Sequence, residues 1–196
     1  MIRRPPRSTL SSSSAASDVY KRQTHQRIEK IDFLNEKITE YLVATSNSDL
    51  SSRQSKELFT LTSIVNYLNS MNDLIRLRFS SLVSKKEGIN EQFSSEDQDE
   101  ILEYHQRLIK QVKRLDKFFV KFDKTKAEKI ISKGQENKDF EQKYRLDRFE
   151  RISSQETQSG KSAELNQLHS QLMDLLKQVN IFIELIASSL VELESD

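Results

Sequence analysis

From Thr24 onward the apolar residues recur at steps of three and four, the spacing of one face of an α-helix. Ile28, Ile31, Leu34, Ile38, Tyr41 and Leu42 form a first stripe. The polar run at 46–52 ends it and supplies oxygens that suit the cap of the next helix. A second stripe runs through Leu58, Leu61, Val65, Leu68, Ile75, Phe79 and Leu82, with Asn72 in the vacant position. That spacing predicts a long helix packed against others at shallow angles. Gly88 marks its stop. Ser94 or Ser95 opens a third helix, with acids in the first turn, where the helix dipole favours them. Its inward face is expected at Leu102, His105, Leu108 or Ile109, Val112, Leu115, Phe119 and Phe122. A charged break at 123–126 precedes a more polar fourth helix whose apolar positions are Ile130, Ile131, Phe140, Tyr144 and Phe149. Gly134 weakens that helix by about 1 kcal/mol relative to alanine. After a polar loop at 153–162, the last helix carries Leu165, Leu168, Leu172, Leu175, Leu176, Val179, Ile183, Ile186, Leu190 and Leu193.

Composition supports an all-α reading. Only three glycines occur in 196 residues, and both prolines, Pro5 and Pro6, lie in the first ten. Few tight turns can be made from such material, and a β-rich fold needs many. The absence of cysteine excludes disulfides, thiolate metal sites and cysteine nucleophiles. The longest apolar segment, 179–193, is interrupted by Asn180, Glu184, Ser188, Ser189 and Glu192. It therefore falls short of the roughly 18–20 apolar residues of a membrane-spanning helix, and the fragment is expected to be soluble. The first 23 residues hold five basic groups against Asp18 alone, which leaves 26 basic and 29 acidic residues interleaved over the remainder. Interleaved signs make a solvated surface, not a basic footprint, so no nucleic-acid partner is expected.

Residues 1–23 lack the 7–15-residue apolar stretch of a secretory signal. They resemble the peptide obtained when sequencing-adapter DNA is translated into an assembled reading frame. A genuine disordered tail is the alternative, and either reading sets the segment 1–23 outside the fold, with native sequence beginning near Thr24.

A shift of 111 residues exposes an internal repeat. It lays Leu61 on Leu172, Ile64 on Leu175, Val65 on Leu176 and Leu68 on Val179. It also lays Asn69 on Asn180, Asp73 on Glu184, Ile75 on Ile186, Phe79 on Leu190 and Leu82 on Leu193. Shared apolar spacing is common between helices, but the coincident polar pair points to duplication and to two related bundles.

Three stretches carry a family resemblance. IDFLNEKITEYLVATSNSDLSSRQSKELFTLTSIVNYLNSMNDLI (31–75), DKTKAEKIISKGQENKDFEQKYRLDRFERI (123–152) and MDLLKQVNIFIELI (173–186) are similar, in order and spacing, to the PhoU-like region of bacterial sodium-dependent phosphate cotransporters. The resemblance covers about residues 28–190 and is strongest in 31–75. It implies tandem three-helix bundles built from about five long antiparallel helices: 24–90 as an incomplete first bundle lacking its first helix, and 91–196 as the second bundle. It further implies a cytoplasmic regulatory or structural domain on the inner-membrane side of a transporter. Its partners would be the transporter's own membrane domain and, through helix packing, a homo-oligomer. An incomplete first bundle is expected to leave part of an apolar face uncovered. A free-standing PhoU-type regulator of phosphate uptake and an unrelated helical or coiled-coil scaffold are the alternatives.

No catalytic residues and no cofactor are expected, and an enzyme is the least favoured class. In PhoU-like proteins, acidic pairs four residues apart can hold metal, because that step puts two carboxylates on one helix face. Here the resemblance puts those pairs at Asn69 with Asp73 and at Asn180 with Glu184. An amide stands in place of the leading carboxylate in both, so each helix offers one anionic donor. Ordinary polar positions and a degenerate metal site are the two readings. Gly160, Lys161 and Ser162 match the end of a phosphate-binding loop, but Gln155 stands where that loop needs glycine and no strand precedes it. His25, His105 and His169 are far apart in sequence and are expected to lack a histidine or carboxylate partner one helical turn away; His105 is expected to pack on an apolar face. Asn72 either fixes register between helices or, as the family's glycine at that place implies, marks a close helix approach.

Overall fold

The computed structural model describes residues 8–154 and 160–194, and among them every regular element is helical, as the spacing predicts. Helix α1 spans Ser8–Ser46 and α2 spans Ser52–Asp73. A π-helical segment, Leu74–Phe79, joins α2 to α3, Ser80–Glu87, so the three form one rod. Helices α4 (Ser95–Val120), α5 (Lys124–Ser154) and α6 (Gly160–Glu194) complete five rods. The first rod starts upstream of the boundary expected near Thr24, because no glycine or proline interrupts the chain between Ser8 and Gln23. Gln155 and the rest of 155–159 lie outside the described residues.

Side chains from the polar breaks cap the helices. Ser51 Oγ accepts from Gln54 N at 3.3 Å while Gln54 Oε1 accepts from Ser51 N at 3.0 Å, a reciprocal cap that satisfies two otherwise orphaned amides. Ser94 Oγ accepts from Asp97 N at 3.1 Å, and Asp123 Oδ1 accepts from Thr125 N at 2.9 Å. Gly88 follows α3 directly and keeps a right-handed φ of −76°.

Cross-helix contacts fix the directions. Asn35 meets Asn69 and Asp32 meets Asn72, so α1 and α2 are antiparallel. Gln111 reaches Ile130 and Asp97 reaches Arg148, making α4 and α5 antiparallel. Asn137 meets Asn180 and Asn166 meets Arg148, which does the same for α5 and α6. Tyr67 packs on Phe182, with ring centroids 6.1 Å apart, and Arg78 reaches Gln178, so the α2–α3 rod runs antiparallel to α6.

Helix α6 is the hub. Ile183, Ile186 and Ala187 join Leu115 and Phe118 of α4, Ala127 and Ile130 of α5, and Ile64 of α2 in one buried cluster. Leu168 and Leu175 join Leu82 of α3 in a second. Tyr104 and Leu108 of α4 join Met173 in a third. Residues of both expected segments, 24–90 and 91–196, share these cores. The physical reason is that α6 carries leucine and isoleucine around more than one face, so it serves α4 and α5 on one side and the α2–α3 rod on the other.

Two expected faces are corrected. In α4 the buried positions are Glu100, Tyr104, Leu108, Gln111, Leu115 and Phe118, while Leu102, His105, Ile109, Val112 and Phe119 are exposed. Accepting Glu100 and Gln111 into the interior rotates the inward face by about one residue from the purely apolar choice. In α1 only Leu42 of the expected stripe is buried; Ile31, Leu34, Ile38 and Tyr41 are exposed, because among the described residues α1 packs substantially against α2 alone.

Candidate functional site

The polar residues that enter the core gather at two levels along α5 and α6. The first level lies mid-helix. Asn180 is fully buried; its Nδ2 donates to the Gly134 carbonyl at 3.0 Å and to Glu184 Oε1 at 2.5 Å, and its Oδ1 accepts from Asn137 Nδ2 at 3.0 Å. Lys138 Nζ donates to Glu184 Oε2 at 2.6 Å. Burial pushes the Glu184 carboxyl above its ordinary range, against the opposing pull of Lys138 and Asn180. Gly134 has a definite role here. A Cβ at that position would lie 2.3 Å from Glu184 Cγ, so glycine is what lets the Glu184 side chain lie across α5.

The second level lies toward the α4 N-terminus. The i,i+3 pair Asp97 and Glu100 faces Arg148 and Arg151 of α5 and His169 of α6. Arg148 Nη1 donates to Asp97 Oδ1 at 2.6 Å and its Nη2 to Asn166 Oδ1 at 2.7 Å. Arg151 Nη2 donates to Glu100 Oε1 at 2.5 Å. The other carboxylate oxygen, Glu100 Oε2, stands 3.3 Å from His169 Nε2, and neither atom makes a hydrogen bond. Both side chains are 3% exposed. Beside them a cavity of about 30 Å³ is lined by Glu100, Glu141, Arg148, His169, Ser170 and Met173, among others. Glu141 accepts from Arg145 and lies 3.0 Å from Lys177 Nζ. Arg145 continues to Asp174 at 2.6 Å.

Burial sets the protonation states. It lowers His169 to about 4, helped by the nearby arginines, so the imidazole is neutral at neutral pH. It raises Glu100, against the pull of Arg151, and raises the Tyr104 phenol, whose hydroxyl is unpartnered.

The four positions singled out by sequence fall in two separate seams. Asn69 donates to Asn35 Oδ1 at 2.5 Å, and Asp73 accepts from Arg76 at 2.9 Å, both along the α1–α2 side. Asn180 and Glu184 face α5. Lysine or arginine already neutralises the single carboxylate of each pair: Lys138 of α5 for Glu184 across two helices, and Arg76, three residues along the same rod, for Asp73 at the surface. Asn72 donates to Asp32 Oδ1 at 3.0 Å, which matches the register-fixing reading of that amide. His105 is exposed, a correction that follows from the rotated face of α4. His25 does have a partner one turn away, Glu29 at 3.3 Å, another correction. His169, Asp97 and Glu100 were missed. Their signal is periodicity: extending the true α4 stripe from Leu108 and Tyr104 back by one turn and then a second arrives at Glu100 and Asp97, and His169 lies between Leu165 and Leu172 at helical steps.

Comparison of the chain with protein-family models, curated proteins and solved structures finds no match.

Proposed function

We propose that this chain is a non-catalytic helical module of the PhoU-like type, acting as the regulatory or structural cytoplasmic domain of a sodium-dependent phosphate cotransporter. The observation that supports the reading is the uncovered apolar face of the α1–α2 hairpin. Ile31, Leu34 and Ile38 on α1, Leu61 and Leu68 on α2 and Ile75 in the π-helical segment that continues it are all exposed at helical spacing, which suits a further helix laid along the hairpin. No helix among the described residues is long and apolar enough to cross a membrane. Transport chemistry therefore belongs, in this reading, to a separate membrane domain that the module contacts.

The test is genetic and biochemical together. The gene encoding this chain should specify, upstream of Thr24, apolar segments of about 20 residues. Expressed as a separate polypeptide, the membrane domain so encoded should co-purify with the chain, and Leu61→Ser with Leu68→Ser should abolish the association. An upstream sequence without such segments, or co-purification indifferent to those substitutions, would overturn the proposal. One observation favours a second reading, a helical scaffold unrelated to that family: Ile64 of α2 shares a core with α4, α5 and α6, where tandem bundles would keep separate cores.

A further inference from the structure

We propose that Asp97, Glu100 and His169 form a binding site for a divalent first-row transition-metal ion, with Zn²⁺ the best-fitting member of the class. One donor atom from each residue lies within 4.8 Å of the other two. Asp97 and Glu100 sit at i,i+3 on one face of α4, and α6 brings His169 opposite them. The decisive feature is the pair of buried, unpartnered atoms. Glu100 Oε2 and His169 Nε2 face each other at 3.3 Å without a hydrogen bond, an arrangement that ordinarily costs stability when polar atoms are buried. Zinc bound tetrahedrally at 2.0–2.1 Å from nitrogen and oxygen sets neighbouring donors about 3.3 Å apart. The two orphaned atoms already span one edge of such a site.

The surrounding groups fit the roles that outer partners play at metal centres. Each carboxylate uses one oxygen for an arginine, Asp97 for Arg148 and Glu100 for Arg151. That leaves the second oxygen of each for a metal and fixes its direction, as hydrogen-bonded ligating carboxylates generally are fixed. The imidazole is neutral at neutral pH, as a metal ligand must be. Asp97, at the edge of the cluster with 15% of its side chain exposed, closes the remaining distance by rotation. The adjoining cavity of about 30 Å³ accommodates a water as fourth ligand. The positive charge of the two arginines opposes the cation, so affinity is expected in the micromolar range, weaker than in cysteine-rich structural sites. Imidazole with two carboxylates favours zinc and its neighbours over calcium, which takes oxygen donors alone.

The experiment is calorimetric titration of the full chain with Zn²⁺ at pH 7.5, with Co²⁺ absorption as an independent readout of coordination. One ion should bind per chain, and Co²⁺ should give the visible bands of a four- or five-coordinate site. His169→Gln and Asp97→Asn should each weaken binding by about 100-fold or more and remove those bands. Asp97→Asn lies at the edge of the cluster and keeps the proposal testable if His169→Gln fails to fold. The double variant His25→Gln, His105→Gln should bind as the unaltered chain does. Wild-type chain that takes up no stoichiometric ion, affinity unchanged in both ligand variants, or binding lost in the surface-histidine control would each overturn the assignment.

Discussion

Helices α2 and α6 carry nearly the same pattern and meet different fates. Under the 111-residue shift, Ile64 and Leu175 are buried alike, at 4% and 3% exposure. Further along, the copies part. Ile75 is 45% exposed where Ile186 is fully buried, and Asp73 stands in solvent where Glu184 crosses the interior. The sequences do not explain this; the neighbours do. Among the described residues, helix α6 packs closely against α2, α4 and α5, whereas α2 packs closely against α1 and α6 and meets α4 and α5 through the cluster around Ile64. An apolar stripe states a capacity for burial, and the number of surrounding rods decides how much of it is used. The π-helical segment Leu74–Phe79 adds to the divergence, since its wider turn re-aims the residues after Asn72 relative to those before it.

The largest expected effect contrasts the two copies of one isoleucine. Ile186→Ala should cost about 2–5 kcal/mol, the range for emptying a packed site, whereas Ile75→Ala should stay within about 1 kcal/mol. Urea denaturation of both variants measures the gap. Equal losses would mean that α2 is as fully enclosed as α6.

Acid should next single out the buried face of α6. His169 falls to about 4 in the folded chain from an ordinary 6.5, so the unfolded chain binds the extra proton between those values. Its contribution is complete above pH 6.5 and is lost as pH falls toward 4, by up to roughly 3 kcal/mol at 1.36 kcal/mol per unit. The raised carboxyls of Glu100 and Glu184 work in the opposite sense, gaining protons in the folded chain as the pH drops, and reduce the net fall. The groups facing His169 are Glu100, Asp97, Arg148 and Arg151. Stability measured from pH 7 to 4 should decline for the unaltered chain and decline less for His169→Gln.

The paired amides sharpen the contrast further. Asn180→Ala removes a fully buried hub, leaves Asn137 Nδ2 unsatisfied and takes a donor from Glu184 Oε1, a loss of about 1–3 kcal/mol. Asn69→Ala removes one part-buried contact to Asn35, about 0.5–1 kcal/mol. Comparable in size is the net effect of Gly134→Ala. Helix propensity alone favours alanine by about 1 kcal/mol, but the new methyl group collides with a Glu184 side chain held by Asn180 and Lys138. The expected outcome is a net loss of about 1 kcal/mol, and thermal denaturation showing a gain would contradict the packing described for α5 and α6.

Helix number, order and breaks were legible because the chain is so poor in helix breakers that its few polar runs stand out. The turns around Ser51, Gly88 and Asp123 fall where those runs predict them. What a hydrophobic reading could not supply was the polar interior: Glu100, Gln111, Asn137, Glu141 and Arg148 are buried at positions outside the apolar stripes. Their burial depends on partners contributed by other helices, which spacing along one helix does not contain. For the same reason the apolar neighbours of His105 along its own helix do not reveal that it is exposed, nor those of His169 that it is buried against α4 and α5. The joint core of α2 and α6 was likewise hidden, because periodicity shows that a face is apolar without showing which face it meets.

The claim on which the comparison rests is that the α1–α2 hairpin keeps apolar surface that no part of the described chain covers. Light scattering combined with fluorescence of a hydrophobic dye tests it directly, on the unaltered chain and on the variant Ile38→Ser, Leu61→Ser, Leu68→Ser. We expect dye binding by the monomer, or self-association in its place, and a marked decrease of either in the variant. A monomer that binds no dye, with a variant indistinguishable from it, would contradict the account.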